Sequence, residues 1–389
     1  MWRGPVTVAI LALGAAVAQS FGRFAFGALL PAIRDDLGFS NTIAGSLGTV
    51  NVGAYLVGSL AVAMLSGRWR LLPVLRLGVV LATAGLVLAL IAPSPWVLAV
   101  AMFASGFGGA LVWIPSPAIA AAALSPERRN IAVAVLGSGI GFGILFVGQL
   151  GAVLRNGDGA ADDSWRTAYL VMAVIAAGVL LATYTVVRHA QQRPAGPTSI
   201  GGFAELRMMP GWLPLTAAYT VFGLMYLLVV AFLSSRLEDD NGWTSDDASL
   251  AFTVLGVAVM FGGPLFILLG TRIGPRWALT IAFGLWMVVT LLVLPGWYVP
   301  TLVGSAAIGL TFAGVPTMIT LYVVSNTTTE TYGPSFAAAT LAFGVAQMLS
   351  PQIGGLLADL TGSFLTVFLL SSALAVVGAA ASLRLPRGV

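Results

Sequence analysis

The chain has 389 residues, of which 58% are hydrophobic and only 8% charged, and its formal net charge is +4. Soluble globular domains carry about 25% charged residues, so this composition excludes a soluble fold and implies a polytopic membrane protein. With no Cys, disulfides, thiol catalysis and cysteine-based metal sites are excluded, and the 18 basic residues, all Arg, are spread over short segments rather than forming a nucleic-acid-binding surface.

Twelve apolar stretches follow one another, at 6–33, 43–65, 73–91, 96–121, 131–153, 166–187, 212–233, 248–270, 277–294, 298–323, 336–357 and 364–383. Each is near the ~20 residues that a helix needs to cross about 30 Å of hydrocarbon. The expected fold is therefore an all-α membrane protein with twelve transmembrane helices. The first stretch is too long for a signal-peptide core and lacks a small-residue cleavage pattern, so it is expected to stay as the first membrane helix.

That first stretch holds the one charge found inside any of the twelve apolar cores, Arg23. A guanidinium cannot lose its proton, and placing one in hydrocarbon costs from roughly 2.5 to over 10 kcal/mol, so a cavity or an anionic partner must compensate. Arg23 lies some ten residues from Ile33, about 15 Å along the helix, which is too far for easy snorkelling. The structural alternative is capture by helix-end carbonyls. The functional reading is a fixed positive charge that grips a carboxylate bidentately.

Gln19 stands one turn before Arg23. In the second stretch Asn51, Tyr55 and Ser59 repeat every four residues as a polar stripe. The fourth holds Trp113 and Ser116, the seventh Thr216, Tyr219, Thr220 and Tyr226, and the eleventh Gln347. With Arg23 they make a candidate cavity lining; interhelical hydrogen bonds or aromatic packing would explain each equally simply. In the fifth stretch Gly137, Gly139, Gly141 and Gly143 form two overlapping small-xxx-small pairs, which predict close helix packing. Trp2, Trp96 and Trp297 suit interfacial anchoring.

Loop charges set the expected orientation. With the N-terminus inside, thirteen Arg fall on the cytoplasmic side and only Arg34, Arg155, Arg166 and Arg236 on the other. This positive-inside bias predicts that both termini lie on the cytoplasmic side of the membrane. Acidic residues, among them Asp36 and Asp359, gather on the opposite side and read as solvated loop charges.

A polar segment at 188–211 separates an expected six-helix bundle at 1–187 from a second at 212–389. The halves share a repeat. Gly141, Gln149 and Gly151 recur as Gly344, Gln352 and Gly354, 203 residues later. Gly58, Leu65 and Arg68 recur 204 later as Gly262, Leu269 and Arg272, and Gly108 and Pro115 recur 201 later as Gly309 and Pro316. A duplicated six-helix unit puts a substrate at the midplane between halves. Arg23 is not duplicated, for Leu227 occupies its place 204 residues on.

These features, with several loop strings, resemble the major facilitator superfamily of transporters over the whole length. Thr271-Arg272-Ile273-Gly274-Pro275-Arg276 resembles the family's D-R-x-G-R-R loop with Thr271 for the acid. Met64-Leu65-Ser66-Gly67-Arg68 resembles the same loop with Met64 at that place. Met102 to Gly109 resembles its R-x-x-Q-G-x-G pattern with Met102 for Arg, and Ser350-Pro351-Gln352-Ile353-Gly354-Gly355 its G-P-x-x-G-G pattern. The resemblance implies two six-helix bundles that rock about a central site, with Gly67, Arg68, Arg272, Gly274, Arg276, Pro351, Gly354 and Gly355 in conformational roles.

No Lys-bearing phosphate loop, HExxH motif or nucleophile–base pair is present, so neither ATP-driven transport nor an enzyme is expected, and no cofactor or metal is implied. The leading expectation is a monomeric secondary transporter for a small organic anion held by Arg23. An exporter of drugs or lipophilic metabolites is the alternative within the fold, and a non-transporting membrane ligand sensor the alternative outside it.

Overall fold

In hydrocarbon a backbone must satisfy its own hydrogen bonds, and apolar runs of this length do so as helices. The computed structural model describes residues 3–65, 70–125, 128–155, 164–187 and 202–386. Twelve helices there are long and apolar enough to cross a membrane: α1 Gly4–Ala28, α2 Asn41–Met64, α3 Leu71–Leu90, α4 Pro95–Ala123, α5 Ala134–Leu154, α6 Ser164–Thr185, α7 Trp212–Val230, α8 Ser245–Ile273, α9 Pro275–Val293, α10 Tyr298–Asn326, α11 Thr331–Thr361 and α12 Leu365–Leu383. One lies in each expected stretch, and no strand occurs among the described residues. Of the expected linker, 188–201 lies outside the described residues; Phe203–Met208 is a short helix against α11.

Helix α1 packs on α4 and α5, α2 on α4, and α3 on α4 and α6; in the second half α7 packs on α11 and α12, α8 on α10, and α9 on α10 and α12. The halves meet along two seams, α2 with α11 and α5 with α8.

Glycine contacts reproduce the repeat in three dimensions. A Cβ on Gly106 would overlap the Asn51 carbonyl, and one on Gly309 would overlap that of Leu255. Gly58 lies against Phe107 and Ala110 just as Gly262 lies against Leu310 and Ala313. The offset is thus 204 from α2 to α8 and 203 from α4 to α10. The equivalent of Gly309 is therefore Gly106, not Gly108, which packs on Gly78 of α3 instead. Shared Gly and Pro identities suggested a register that the helix crossing does not use.

The seams are also tight. Gly45 and Gly48 lie against Pro351, Gly355 against Asn41, and Gly141 against Gly256 and Met260. Across the α2–α11 seam the Ser46 hydroxyl donates to Gln352 Oε1 at 2.7 Å and the Thr49 hydroxyl to the Met348 carbonyl at 2.9 Å; across the α5–α8 seam Gln149 Nε2 donates to Thr253 Oγ1 at 3.0 Å. The fifth-helix glycines divide between neighbours. Gly139 and Gly143 face α1, Gly141 faces α8, and Gly137 meets nothing within 4 Å.

Past a turn at Leu29, the first helix resumes over Leu30–Leu37. Its end, the start of α2 and the segment after α7 make one face of the bundle, here the acidic face; the opposite one, reached by 202–211, is the linker face. On the acidic face the charges read as solvated loop residues turn out to tie the halves together. Arg34 grips Asp239 bidentately at 2.6 and 3.0 Å, and Arg155 grips Glu238 at 2.8 and 2.6 Å. Asp359 accepts from the main-chain N–H groups of Asn41 and Thr42 at 3.1 and 2.7 Å, capping α2 from the other half. Asp36 stays within its own half, on Arg166 and the Trp165 indole.

Candidate functional site

The stretch Ala16–Phe24 of α1 is a widened, π-type helix, closed by an Ala25 N–H donating to the Ser20 carbonyl five residues back. Such turns leave the regular ladder and recur at functional sites. Nothing in the residue pattern signals this one. It carries Gln19, Ser20 and Arg23 toward the bundle axis, with the Ser20 hydroxyl donating to the Ile140 carbonyl of α5 at 2.7 Å.

Arg23 lies at the depth of Asn51 and Gln347, both near the middle of their own helices. Its Nε donates to Asn51 Oδ1 at 3.2 Å. The Asn51 amide spends its hydrogens on the carbonyls of Gly22, at 2.8 Å, and Met102, at 3.0 Å. Asn51 is thereby a bracket that joins α1, α2 and α4 and aims Arg23. The guanidinium carbon stands 4.5 Å from the centre of the Tyr55 ring, a cation–π contact. The group also reaches the Tyr226 hydroxyl of α7. Among the described residues no carboxylate pairs with Arg23. Carbonyl capture, the structural alternative, is not its arrangement either. Gln19 is buried against Tyr55.

From the second half comes an aromatic wall. Phe222 and Tyr226 stack with centroids 5.1 Å apart, and Tyr219 stacks on Phe343 at 4.4 Å. Phe312 leans on both Tyr226 and Phe24. Gln347 donates through Nε2 to the Tyr226 hydroxyl, so both polar groups of the wall are joined.

Two spaces adjoin this cluster. A void of about 30 Å³ on the acidic-face side is bounded by Arg23, Asn51, Gly27, Gly48, Ala231 and Pro351. A larger cavity of about 200 Å³ runs toward the linker face between α2 and α11, past Tyr55, Ser59, Phe343 and Gln347. Tyr55 stands between the larger cavity and Arg23.

Arg23, Gln19, Asn51, Tyr55, Tyr219, Tyr226 and Gln347 are thus brought into one cluster. Trp113 lines neither space, and Ser116 spends its hydroxyl on the Val112 carbonyl. The sequence reading passed over Phe222, Phe312 and Phe343. Phe343 lies one turn before Gln347 and Phe222 one turn before Tyr226, a spacing that flagged polar neighbours could have exposed. Of the motif residues, Gly67 and Arg68 lie outside the described residues. Arg272 is exposed at the end of α8, Arg276 sits beside Trp277, and neither forms an ion pair among the described residues. Gly274 turns the chain between α8 and α9 with φ +83°, a conformation that only glycine adopts readily. Pro351 and Gly355 lie in the α2–α11 seam, and Gly354 packs on Phe232 within its own half.

The family described as "Uncharacterised MFS-type transporter YbfB" matches residues 15–383, nearly the whole chain. The chain belongs to this family of MFS-type transporters. Among curated relatives, monocarboxylate transporter 13 of Rattus norvegicus is 24% identical over 383 residues, covering 95% of this chain and 85% of that protein. Among solved structures, nucleoside transporter NupG superposes with a TM-score of 0.78 at 15% identity, covering 98% of each chain. A bacterial homologue of the human lysosomal transporter Spinster, in an inward-facing and unoccupied conformation, gives 0.77 at 14% identity, with 98% of this chain and 97% of that one covered. The D-xylose-proton symporter gives 0.73 at 16%, with 98% and 97% covered. These likenesses establish the MFS fold, and the protein is an integral membrane transporter.

Proposed function

We propose that this MFS-type transporter moves a small organic anion by alternating access, with Arg23 as the fixed charge that receives it. The observation that carries the reading is a permanent cation at mid-depth of the bundle with no carboxylate partner among the described residues. Keeping such a charge away from water and anions costs several kcal/mol. Its fork geometry matches a carboxylate. The likeness to a protein named as a monocarboxylate transporter supports the same class.

In this reading the acidic face is extracytoplasmic, as the arginine distribution favours, and both termini lie on the cytoplasmic side of the inner membrane. Ion-pair ties close that face while the larger cavity runs toward the cytoplasm. The conformation is then inward-facing, as is that of the similar Spinster homologue. The chain works as a monomer and performs transport rather than catalysis.

The test is uptake of labelled carboxylates into proteoliposomes. Arg23→Ala abolishes it, and Arg23→Lys, which keeps charge but loses the fork, lowers it about tenfold or more. Unchanged uptake by both variants removes Arg23 from the mechanism.

A further inference from the structure

Arg23 borders the small void and not the larger cavity, and Tyr55 borders the cavity and not the void; among the described residues only Val52 borders both. Two tyrosines touch Arg23, Tyr55 from the first half and Tyr226 from the second. They are held very differently. Tyr226 is buried, with the rings of Phe222, Phe312 and Phe343 at 5.1, 5.2 and 6.3 Å and a hydrogen bond from Gln347 at its hydroxyl. Tyr55 is half-buried, and no other aromatic ring is stacked on it among the described residues. Its polar tethers beyond its own helix come from α1, the guanidinium 4.5 Å from its ring centre and Gln19 at its hydroxyl. On α4 it faces Gly109, which has no side chain to hold it. The cavity of about 200 Å³ gives the ring a space into which it can turn.

Resting on the reading of Arg23 as the anion site, we infer that Tyr55 is the residue that makes the site selective for charge: its ring covers Arg23 in the unloaded carrier, latched by the cation it hides, and a carboxylate arriving from the linker face displaces it. Ring and cargo compete for one guanidinium, which is the differential interaction that a ligand needs in order to drive a conformational change. A carboxylate offers the guanidinium two charge-assisted hydrogen bonds, a stronger contact than a ring face. A neutral molecule of the same shape offers less than the ring does, so the latch stays engaged. Tyr226 cannot take this part. Packed among three phenyl rings, it is the fixed contact that Arg23 keeps when Tyr55 leaves.

The experiment reads the gate from behind it. Leu227 lines the small void on the Arg23 side, Ala337 lines the larger cavity, and the chain has no Cys of its own. Alkylation of Leu227→Cys in the purified full-length protein is measured as a ratio to that of Ala337→Cys in the same background, with iodoacetamide and with its charged counterpart iodoacetate. The backgrounds are Tyr55 intact, Tyr55→Leu, Tyr55→Phe and Arg23→Gln. Tyr55→Leu and Arg23→Gln are expected to raise the iodoacetamide ratio about two- to thirtyfold, the span set by one cation–π contact. Tyr55→Phe, which keeps a ring over the cation, stays below Tyr55→Leu. With Tyr55 and Arg23 intact, iodoacetate gives a higher ratio than iodoacetamide, and Arg23→Gln removes that lead. A ratio that Tyr55→Leu leaves unchanged, or that Tyr55→Phe raises as far as Tyr55→Leu does, overturns the gate; the anion reading survives it if iodoacetate keeps its Arg23-dependent lead. Equal ratios for the two reagents with Tyr55 and Arg23 intact remove the anion reading, and the charge-selective gate with it.

Discussion

Arg34 and Glu238 occupy equivalent positions of the two repeats, 204 residues apart, and carry opposite charges. Each reaches over the boundary between halves, Arg34 to Asp239 and Glu238 to Arg155. Across the boundary at the acidic face the first half thus offers cations and the second half anions. A symmetric duplication would have set like against like there, so the divergence of the repeats converts repulsion into closure.

Arg155→Glu breaks one tie and places a carboxylate against Glu238. Side-chain exposures of 10% and 13% put this pair between the surface and buried regimes, so roughly 1–3 kcal/mol is expected, about five- to a hundredfold in the open-to-closed ratio. The double swap, Arg155→Glu with Glu238→Arg, restores closure. Alkylation of Thr49→Cys in the α2–α11 seam reports the change, and the chain has no Cys of its own to react.

Burial pushes the Glu238 carboxyl above its ordinary range, and Arg155 only partly opposes the shift. A carboxyl that holds its proton more tightly in the closed seam than in open water favours closure as pH falls. That advantage is lost as pH rises through the raised value, so the acidic face opens more readily above it. Spin-label distances across that face should lengthen with rising pH in the wild type and flatten in Glu238→Gln. An opposite slope would mean that the Arg155 pair outweighs desolvation.

Asn51→Asp supplies Arg23 with a carboxylate in place of the amide that now accepts its Nε. An internal anion competes with any external one, so anion binding should fall by about tenfold or more while the protein still folds. Asn51→Ala strands the bracket between α1, α2 and α4 and should cost about 1–3 kcal/mol of stability. Calorimetric binding and thermal unfolding separate the two effects.

A Cβ on Gly355 would overlap the Asn41 backbone at the α2–α11 seam, whereas one on Gly178 meets nothing within 4 Å. Gly355→Val should therefore hold the acidic face apart and raise Thr49→Cys alkylation. Gly178→Ala should do nothing. Equal behaviour of the two would show that the seam does not close as tightly in solution.

Helix number, and the solitary status of Arg23, were legible because both follow from where charge is absent. The neighbourhood of Arg23 was legible in part. Tyr55 and Asn51 announced themselves by four-residue spacing in an apolar helix, and Gln347 by being polar at all. Phe343, Phe222 and Phe312 did not, because a phenyl group that faces a cavity and one that faces lipid look alike in a sequence. The widening over Ala16–Phe24 left no trace, since a shift of hydrogen-bond partner demands no special residue type. Asp359 and Glu238 were misread as loop charges, for their partners lie 318 and 83 residues away. Trp113 failed for the opposite reason. A conspicuous side chain near mid-span attracts notice wherever it points.

Among the described residues, the ion pairs that join the halves all lie on the acidic face. An empty carrier fastened on one side only has a preferred waiting posture, and resetting toward the fastened side is its slow stroke. Cargo returning from the opposite compartment would hasten that stroke by sharing its cost, so one-for-one swapping should outrun net flow.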